Sequence, residues 1–385
     1  MATKIVIEPI TRVEGHGKVT IHLNDCGNVE KANLHVTQVR GFEKFCEGRL
    51  FWEMPSITAR ICGICPVSHQ LASAKAGDAI LGIELTPTAE GLRRLLHAAQ
   101  YVQSHALHFF YLASPDLFLG MDSDPATRNV IGLIAARPET VKKGVAMRAF
   151  GQKIIEMLGD KKVHPTAAIP GGMSKRLSPE NREIIAGGID LVISDALFAV
   201  ELIKDYILKS RAEVTSFANF SSNYLGLVDG NGYVEYYNGL LRFKDGRGGI
   251  LEDKIRPEDY LSVIQEKTED WSYLKFPFYR KLGYPGGMYR VGPLGRFNVA
   301  DGYSTPLANS EFQELANQQT NRIIQGSLYY HLARMIELLN AAEIIKMLIE
   351  NPAICGTDIW SPGKPQNEEG IGVIEAPRGT LIHHY

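Results

Sequence analysis

Arg60-Ile61-Cys62-Gly63-Ile64-Cys65-Pro66-Val67-Ser68-His69 is the stretch around which the chain is read. Two thiols stand three residues apart, and a histidine follows four residues after the second. Pro66 suits the first position of a helix, where its missing N–H costs nothing. The spacing predicts a helix over 66–81 with Cys65 at its mouth and His69 one turn above on the same face. Arg60 and the helix N-terminus both favour thiolate over thiol. Soft, deprotonated sulfur suits a transition metal. The pair alone admits three readings: a metal site, a dithiol redox pair, or two buried, inert cysteines. No second Cys-x-x-Cys follows to complete a zinc tetrahedron.

The chain has 385 residues, enough for a large core or two domains. Hydrophobic residues at 45% and charged residues at 22% are ordinary for a globular protein. A net charge of -2 argues against nucleic acid, which wants a basic face. The five cysteines, Cys26, Cys46, Cys62, Cys65 and Cys355, are too few and too odd for a disulfide framework. No signal-peptide pattern opens the chain and no run of about 18 apolar residues occurs. The expected setting is the cytoplasm, with no membrane span.

Along residues 3–40 apolar residues fall every second position, as in half-buried strands, with a hairpin turn at Asn24–Asn28. Arg40–Arg49 reads as strand end and loop. From Cys62 the period becomes helical: Leu92 to Ala113, Val141 to Leu158, and a helix capped by Ser178-Pro179 that runs to Lys209. His97, His105 and His108 do not form an i, i+4 ligand set and read as core histidines. Residues 222–306 read as a β-rich insertion with turns at Asn231-Gly232, Asn238-Gly239 and Asp245-Gly246, and Arg290–Phe297 as loop. Ser310–Gln313 reads as a capping box. It opens one long helical stretch to Asn351, kinked at Gly326. The expected fold is mainly α with small β-sheets (α+β), a long-helix bundle in a single domain 1–385. Its segments are 1–60, 61–221, 222–306 and 307–385.

The ten residues from Arg60 to His69 closely resemble the N-terminal metal motif of the large subunit of nickel–iron hydrogenases. Four other stretches resemble that family in the same order. They are Arg12-Val13-Glu14-Gly15-His16, Gly41-Phe42-Glu43, His164-Pro165 through Gly172, and Glu375-Ala376-Pro377-Arg378-Gly379. The resemblance implies a large-subunit fold and reversible conversion of H2 to protons and electrons at an NiFe(CN)2(CO) centre. Cys62 would be a terminal nickel ligand and Cys65 a bridge to iron. Glu14 would pass protons to and from a metal-bound thiolate, with His69 the next candidate. Glu43 would bind Mg2+. Asp116 would lie close to the two metals. Arg378 would point its guanidinium over their open side, and Ala376 and Pro377 would help form the pocket for the iron's diatomic ligands.

The resemblance also implies partners. The chain has no Fe–S cysteine pattern and no Gly-rich dinucleotide loop. An Fe–S small subunit, diaphorase subunits carrying NAD(P), and a maturation chaperone or protease are expected. The form Cys-Gly-Ile-Cys-Pro-Val-Ser-His looks most like the cytoplasmic bidirectional NAD(P)-linked enzymes. Deazaflavin- or heterodisulfide-linked hydrogenases and a non-catalytic subunit like that of complex I are the alternatives. The family's second Cys-x-x-Cys and its magnesium-binding histidine do not occur in these residues. Cys355 has no second cysteine at the spacing that motif needs and is not expected to touch metal. The chain as given is therefore expected to be a shortened form, to hold the centre weakly or not at all, and to be inactive alone.

Overall fold

A computed structural model describes residues 3–38 and 40–385. Met1, Ala2 and Val39 fall in the segment 1–60 read above and lie outside the described residues. The chain divides into two compact units. One holds the residues up to Glu47 together with Leu261–Met288; the other holds Gly48–Tyr260 and Tyr289–Tyr385.

In the smaller unit β1 (Thr3–Ile7), β2 (Gly17–Leu23) and β3 (Val29–Val36) form an antiparallel sheet in that order. The Asn24 side chain closes the β2–β3 turn by accepting from the N–H groups of Cys26 and Asn28, both at 3.0 Å. The period of two holds, and Val19, Ile21, Leu23 and Val36 are half-buried as expected, but the most covered side chains lie on the other face. The covered face is polar: Thr20 and Asn33 are buried, Thr20 bonds His35 at 2.9 Å, and His35 packs edge-on against Trp271. Ile5 at 43% and Leu34 at 55% stay exposed. The reason is non-local. The antiparallel hairpin Ile264–Glu269 and Ser272–Tyr279 packs with β3 and brings Trp271 to the polar side. Arg40–Arg49 is also not strand: Phe42–Cys46 forms α1, one short helix turn.

The larger unit is helical. α2 (Met54–Thr58) and a 3-10 turn at Ala59–Ile61 lead into α3 (Pro66–Leu81), whose bounds are those predicted. Gly82 ends it in the left-handed conformation, at φ 63°, which lets its N–H reach the Ala79 carbonyl. α4 (Pro87–Leu107) passes through a π turn at His108–Ala113 into α5 (Ser114–Leu119). α6 (Val130–Ala136) and α7 (Pro138–Gly159) follow. α8 (Pro179–Lys209) starts where Ser178-Pro179 places it, with the Ser178 hydroxyl accepting from Asn181 N–H at 3.2 Å. After α9 (Arg211–Ser216), four short strands form a mixed sheet. Of the three predicted turns only Asp245-Gly246 joins consecutive strands of it; the other two lie in the 229–239 connection.

Two readings are corrected. Arg290–Phe297 is mostly helix: α10 (Gly292–Val299) has Pro293 in its first turn, where a proline costs no hydrogen bond. The stretch from Ser310 to Asn351 is two helices, α11 (Pro306–Asn317) and α12 (Tyr329–Glu350). α11 begins at Thr305-Pro306, not at Ser310. Helix stops between them because Asn321 and Arg322 take positive φ and the Ile324 backbone bonds the Asn298 side chain instead. α12 is buried nearly all round, packing on α4, α8, α10 and α11. α7 approaches α4 closely because residue 151 is glycine; a Cβ there would lie 2.6 Å from the Ala99 carbonyl oxygen. The chain ends in an antiparallel hairpin, Ile371–Ala376 and Gly379–His384, seated on α3. Among the described residues no helix is long and apolar enough to cross a membrane.

Candidate metal centre

Cys62 sits in extended backbone just after the 3-10 turn, and Cys65 is the residue capping α3. The chain curls between them so that the N–H groups of Ile64 and Cys65 both point at Cys62 Sγ, at 3.4 and 3.1 Å. A sulfur met by two amides is arranged to carry negative charge. The curl is held from α4: Gln100 and Gln103 each donate Nε2–H to the Ile64 carbonyl, at 2.9 and 2.8 Å.

The same helix holds the turn of the C-terminal hairpin. One residue beyond Gln103, the Ser104 hydroxyl accepts from the Arg378 guanidinium. His97 and Tyr101 both donate to the Glu375 carbonyl at 2.9 Å. Residues 97, 100, 101, 103 and 104 thus tie two stretches that lie some three hundred positions apart in sequence to one helix.

Beneath this lies a fully buried ionic chain that sequence reasoning missed. Arg296 on α10 donates Nε and Nη2 to Glu337, at 2.5 and 2.8 Å, and Nη1 to Glu375 at 2.5 Å. It also holds the Ala376 and Pro377 carbonyls, at 3.0 and 3.2 Å. His105 bonds Glu337 at 2.9 Å. Burial works to raise the Glu337 pKa, and the Arg296 guanidinium overrides it and holds the carboxyl below its ordinary value. At Glu375 burial wins and the pKa is raised. The only local signal was a charged residue inside a Gly- and Pro-punctuated stretch, which reads as loop.

His69 is one turn above Cys65 and its Nδ1 meets His383 Nε2 at 3.1 Å. Burial pushes His69 down to about 4 and His383 to about 3. Asp116, on α5, pairs with Arg128 at 3.2 Å. His164 has a positive φ and its Nδ1 meets the Ala59 carbonyl at 2.9 Å, which makes it a brace for the turn before Cys62. His97 and His105 are core histidines, as read. Glu14 and Glu43 belong to the smaller unit. Glu14 lies exposed in the loop before β2, and Glu43 is exposed on α1, where a hydrogen bond from Arg40 at 2.6 Å keeps its pKa below the usual value. Cys355 ends a 3-10 turn after α12, and burial raises its thiol, opposite to what a metal-bound thiolate needs.

Among the described residues no three His, Cys, Asp or Glu side chains converge as a metal site. The donors present are the two sulfurs of Cys62 and Cys65. They fit part of a soft-metal centre: paired, amide-supported, and pinned from α4.

Family models match two consecutive stretches: one described as HoxL-like over residues 4–39, the other nickel-dependent hydrogenase over residues 40–126. A vhu subunit of the F420-non-reducing hydrogenase of Methanococcus voltae is 45% identical across 99% of this chain and 90% of its own length. The NAD-reducing hydrogenase HoxS subunit beta of Cupriavidus necator is 44% identical across 100% of this chain and 82% of its own. The crystal structure of an NAD+-reducing nickel–iron hydrogenase in the H2-reduced state superposes with TM-score 0.97 at 44% identity, covering 100% of this chain and 86% of that one. With its thiol pair and its arginine turn joined on one helix, the chain belongs to the nickel-dependent hydrogenases, as a catalytic large subunit.

Proposed function

We propose that this hydrogenase subunit works in a cytoplasmic, bidirectional, NAD(P)-linked complex. The reaction is H2 + NAD(P)+ ⇌ NAD(P)H + H+, with the two electrons passing through an Fe–S small subunit to diaphorase subunits. The likeness to the NAD+-reducing enzyme along the whole chain supports this reading. The odd, sparse set of five cysteines agrees with a reducing compartment. A maturation chaperone or protease would act on the chain before it joins its partners.

In this reading Cys62 and Cys65 would hold the nickel–iron centre, Cys62 on the nickel and Cys65 towards the iron. When bound, the nickel–iron centre supplies the heterolytic cleavage of H2. The chain's own residues set the surroundings. Gln100 and Gln103 fix where the two sulfurs stand. Arg378, anchored on Ser104, offers a fork of fixed donors to the open side. Ala376 and Pro377, held by Arg296, form the pocket for the diatomic ligands. Glu14 takes protons away, and His69 and Asp116 are supporting polar groups. Glu43, an exposed carboxylate, suits Mg2+.

The test is the native complex under H2, with viologen, NAD+ and NADP+ offered separately and nickel measured. The reading expects nucleotide reduction by nickel-containing protein. Viologen reduction with neither nucleotide accepted sinks the NAD(P) assignment. The 45% identity to the F420-non-reducing enzyme's subunit would then favour a complex with a different acceptor.

A further inference from the structure

Arg296 grips the chain just ahead of Arg378. Its Nη1 donates to the Glu375 carboxylate and the Ala376 carbonyl, and its Nη2 to the Pro377 carbonyl. One guanidinium thus holds three consecutive residues. The start of the same helix, α10, lies against the backbone on either side of Arg378. A Cβ on Gly292 would stand 2.7 Å from the Arg378 carbonyl oxygen, and one on Gly379 would stand 2.5 Å from the Val291 side chain. The Arg378 guanidinium itself reaches across to the Ser104 hydroxyl on α4.

α12 fixes α10 in turn. Glu337 takes the Nε and Nη2 edge of Arg296. Two turns earlier on α12, the Tyr330 hydroxyl donates to the Val291 carbonyl at 2.9 Å. His105, the neighbour of Ser104 on α4, bonds Glu337. The bonds therefore close a circuit. It runs from Arg378 to α4 at Ser104 and His105, to Glu337 on α12, to Arg296 on α10, and back to residues 375–377. Stability alone does not call for charge in this circuit. Arg296, Glu337 and Glu375 are all 0% exposed, and a buried ion pair is often exchanged for apolar groups of similar volume without loss. What apolar groups do not supply is direction. A planar fork of N–H donors sets the angle of each acceptor as well as its distance.

We propose that Arg296 and Glu337 are positioning residues for the hydrogenase reaction: they fix residues 375–377, and through them the place where Arg378 presents its guanidinium. The inference rests on the reading of Arg378 as the arginine at the open side of the metals, and not on which electron acceptor the complex uses.

The test uses the native complex with three changes: Arg378→Lys, Arg296→Lys, and Arg296→Met combined with Glu337→Gln. H2 oxidation with viologen gives kcat and KM. Nickel content, melting temperature and hydrogen exchange over residues 375–380 are measured beside them. Arg296→Lys keeps the charge and loses the fork. It should keep nickel and the KM for H2, lower kcat about tenfold or more, and lose protection at 375–380 while α3 keeps its own. In the double variant Glu375, whose pKa burial already raises, is free to take up a proton. That protein should melt close to the wild-type temperature and still turn over no faster than Arg296→Lys. Wild-type kcat in a nickel-loaded Arg296→Lys or double variant overturns the proposal. Failure of both to assemble with nickel also overturns it, because the circuit then carries the fold and not the arginine. Arg378→Lys separates the two readings. Wild-type kcat there sinks the reading of Arg378, and this inference with it; a fall there with none in Arg296→Lys sinks this inference alone.

Discussion

His69 Nδ1 and His383 Nε2 share a hydrogen bond across 3.1 Å and 314 positions of sequence. His383 Nδ1 in turn meets the Tyr385 hydroxyl at 2.7 Å, and that hydroxyl meets Ser73 at 2.9 Å. This row of side chains stitches the hairpin to α3, the helix that Cys65 opens. His383→Leu leaves the His69 Nδ1 without this partner and should cost about 1–3 kcal/mol. His383→Gln, which keeps an acceptor, should cost less. Hydrogen exchange at Leu381–His384 reads the difference; equal protection in both variants and wild type would show that the stitch does not hold the hairpin.

Five buried or half-buried histidines make the fold sensitive to acid. His69 stands at about 4, and His97, His105, His331 and His383 at about 3, all lowered first by burial. Unfolded, each returns to about 6.5. Above that value the histidines are neutral in both states and cost nothing. As pH falls below it, the unfolded chain takes up protons that the folded chain refuses, so stability drops from about pH 6.5 down towards the folded values. At pH 5.5 the loss is roughly 1.4 kcal/mol per histidine. Urea midpoints at pH 7 and 5.5 test it, and an unchanged midpoint would show that these groups are not held neutral.

The hairpin's approach to α3 depends on a missing side chain. A Cβ on Gly372 would overlap the Ala72 carbonyl oxygen and lie 2.7 Å from Ala76 N. These are backbone atoms of a well-packed helix and cannot swing aside. Gly372→Ala should therefore cost about 3 kcal/mol or more. It should also displace the strand that leads to Arg378. The expected result is a lower melting temperature together with loss of H2 turnover; full turnover would show that the strand position tolerates the shift.

Local signals carried much of this fold, and contact between distant residues carried the rest. Pro66 and Ser178-Pro179 mark the starts of α3 and α8 because a proline in the first turn and a hydroxyl cap act within four residues. The break between α11 and α12 has no such mark: Asn321 and Arg322 leave helix because Asn298, far off in sequence, takes the Ile324 backbone. The alternation in β1–β3 was legible, but which face is covered depended on Trp271. At the site, Cys62, Cys65 and Arg378 stood out by motif. Arg296, Glu337, Ser104 and the two glutamines did not, since a buried polar residue inside an apolar helix pattern looks like any surface charge until its partner is placed.

The two glutamines give the most direct test of how the thiol pair is held. Gln100 and Gln103 are one turn apart on α4 and share one acceptor, the Ile64 carbonyl. That carbonyl belongs to the residue whose N–H, with that of Cys65, meets Cys62 Sγ. Pinning it therefore fixes the peptide plane that carries the Cys65 N–H, and holds the residue whose own N–H is the sulfur's second support. Replacing both glutamines by leucine keeps size and helix propensity, and removes both donors. Each neutral hydrogen bond contributes about 1 kcal/mol, so the double variant should fold, with a loss near twice that. What should change more is Cys62. Without the pinned curl its amide partners drift, and its alkylation rate in metal-free protein should shift away from wild type, while that of exposed Cys26 stays the same. Nickel retention in the native complex should fall in parallel. Unchanged Cys62 alkylation and nickel content in the double variant would show that the sulfurs are placed by α3 alone.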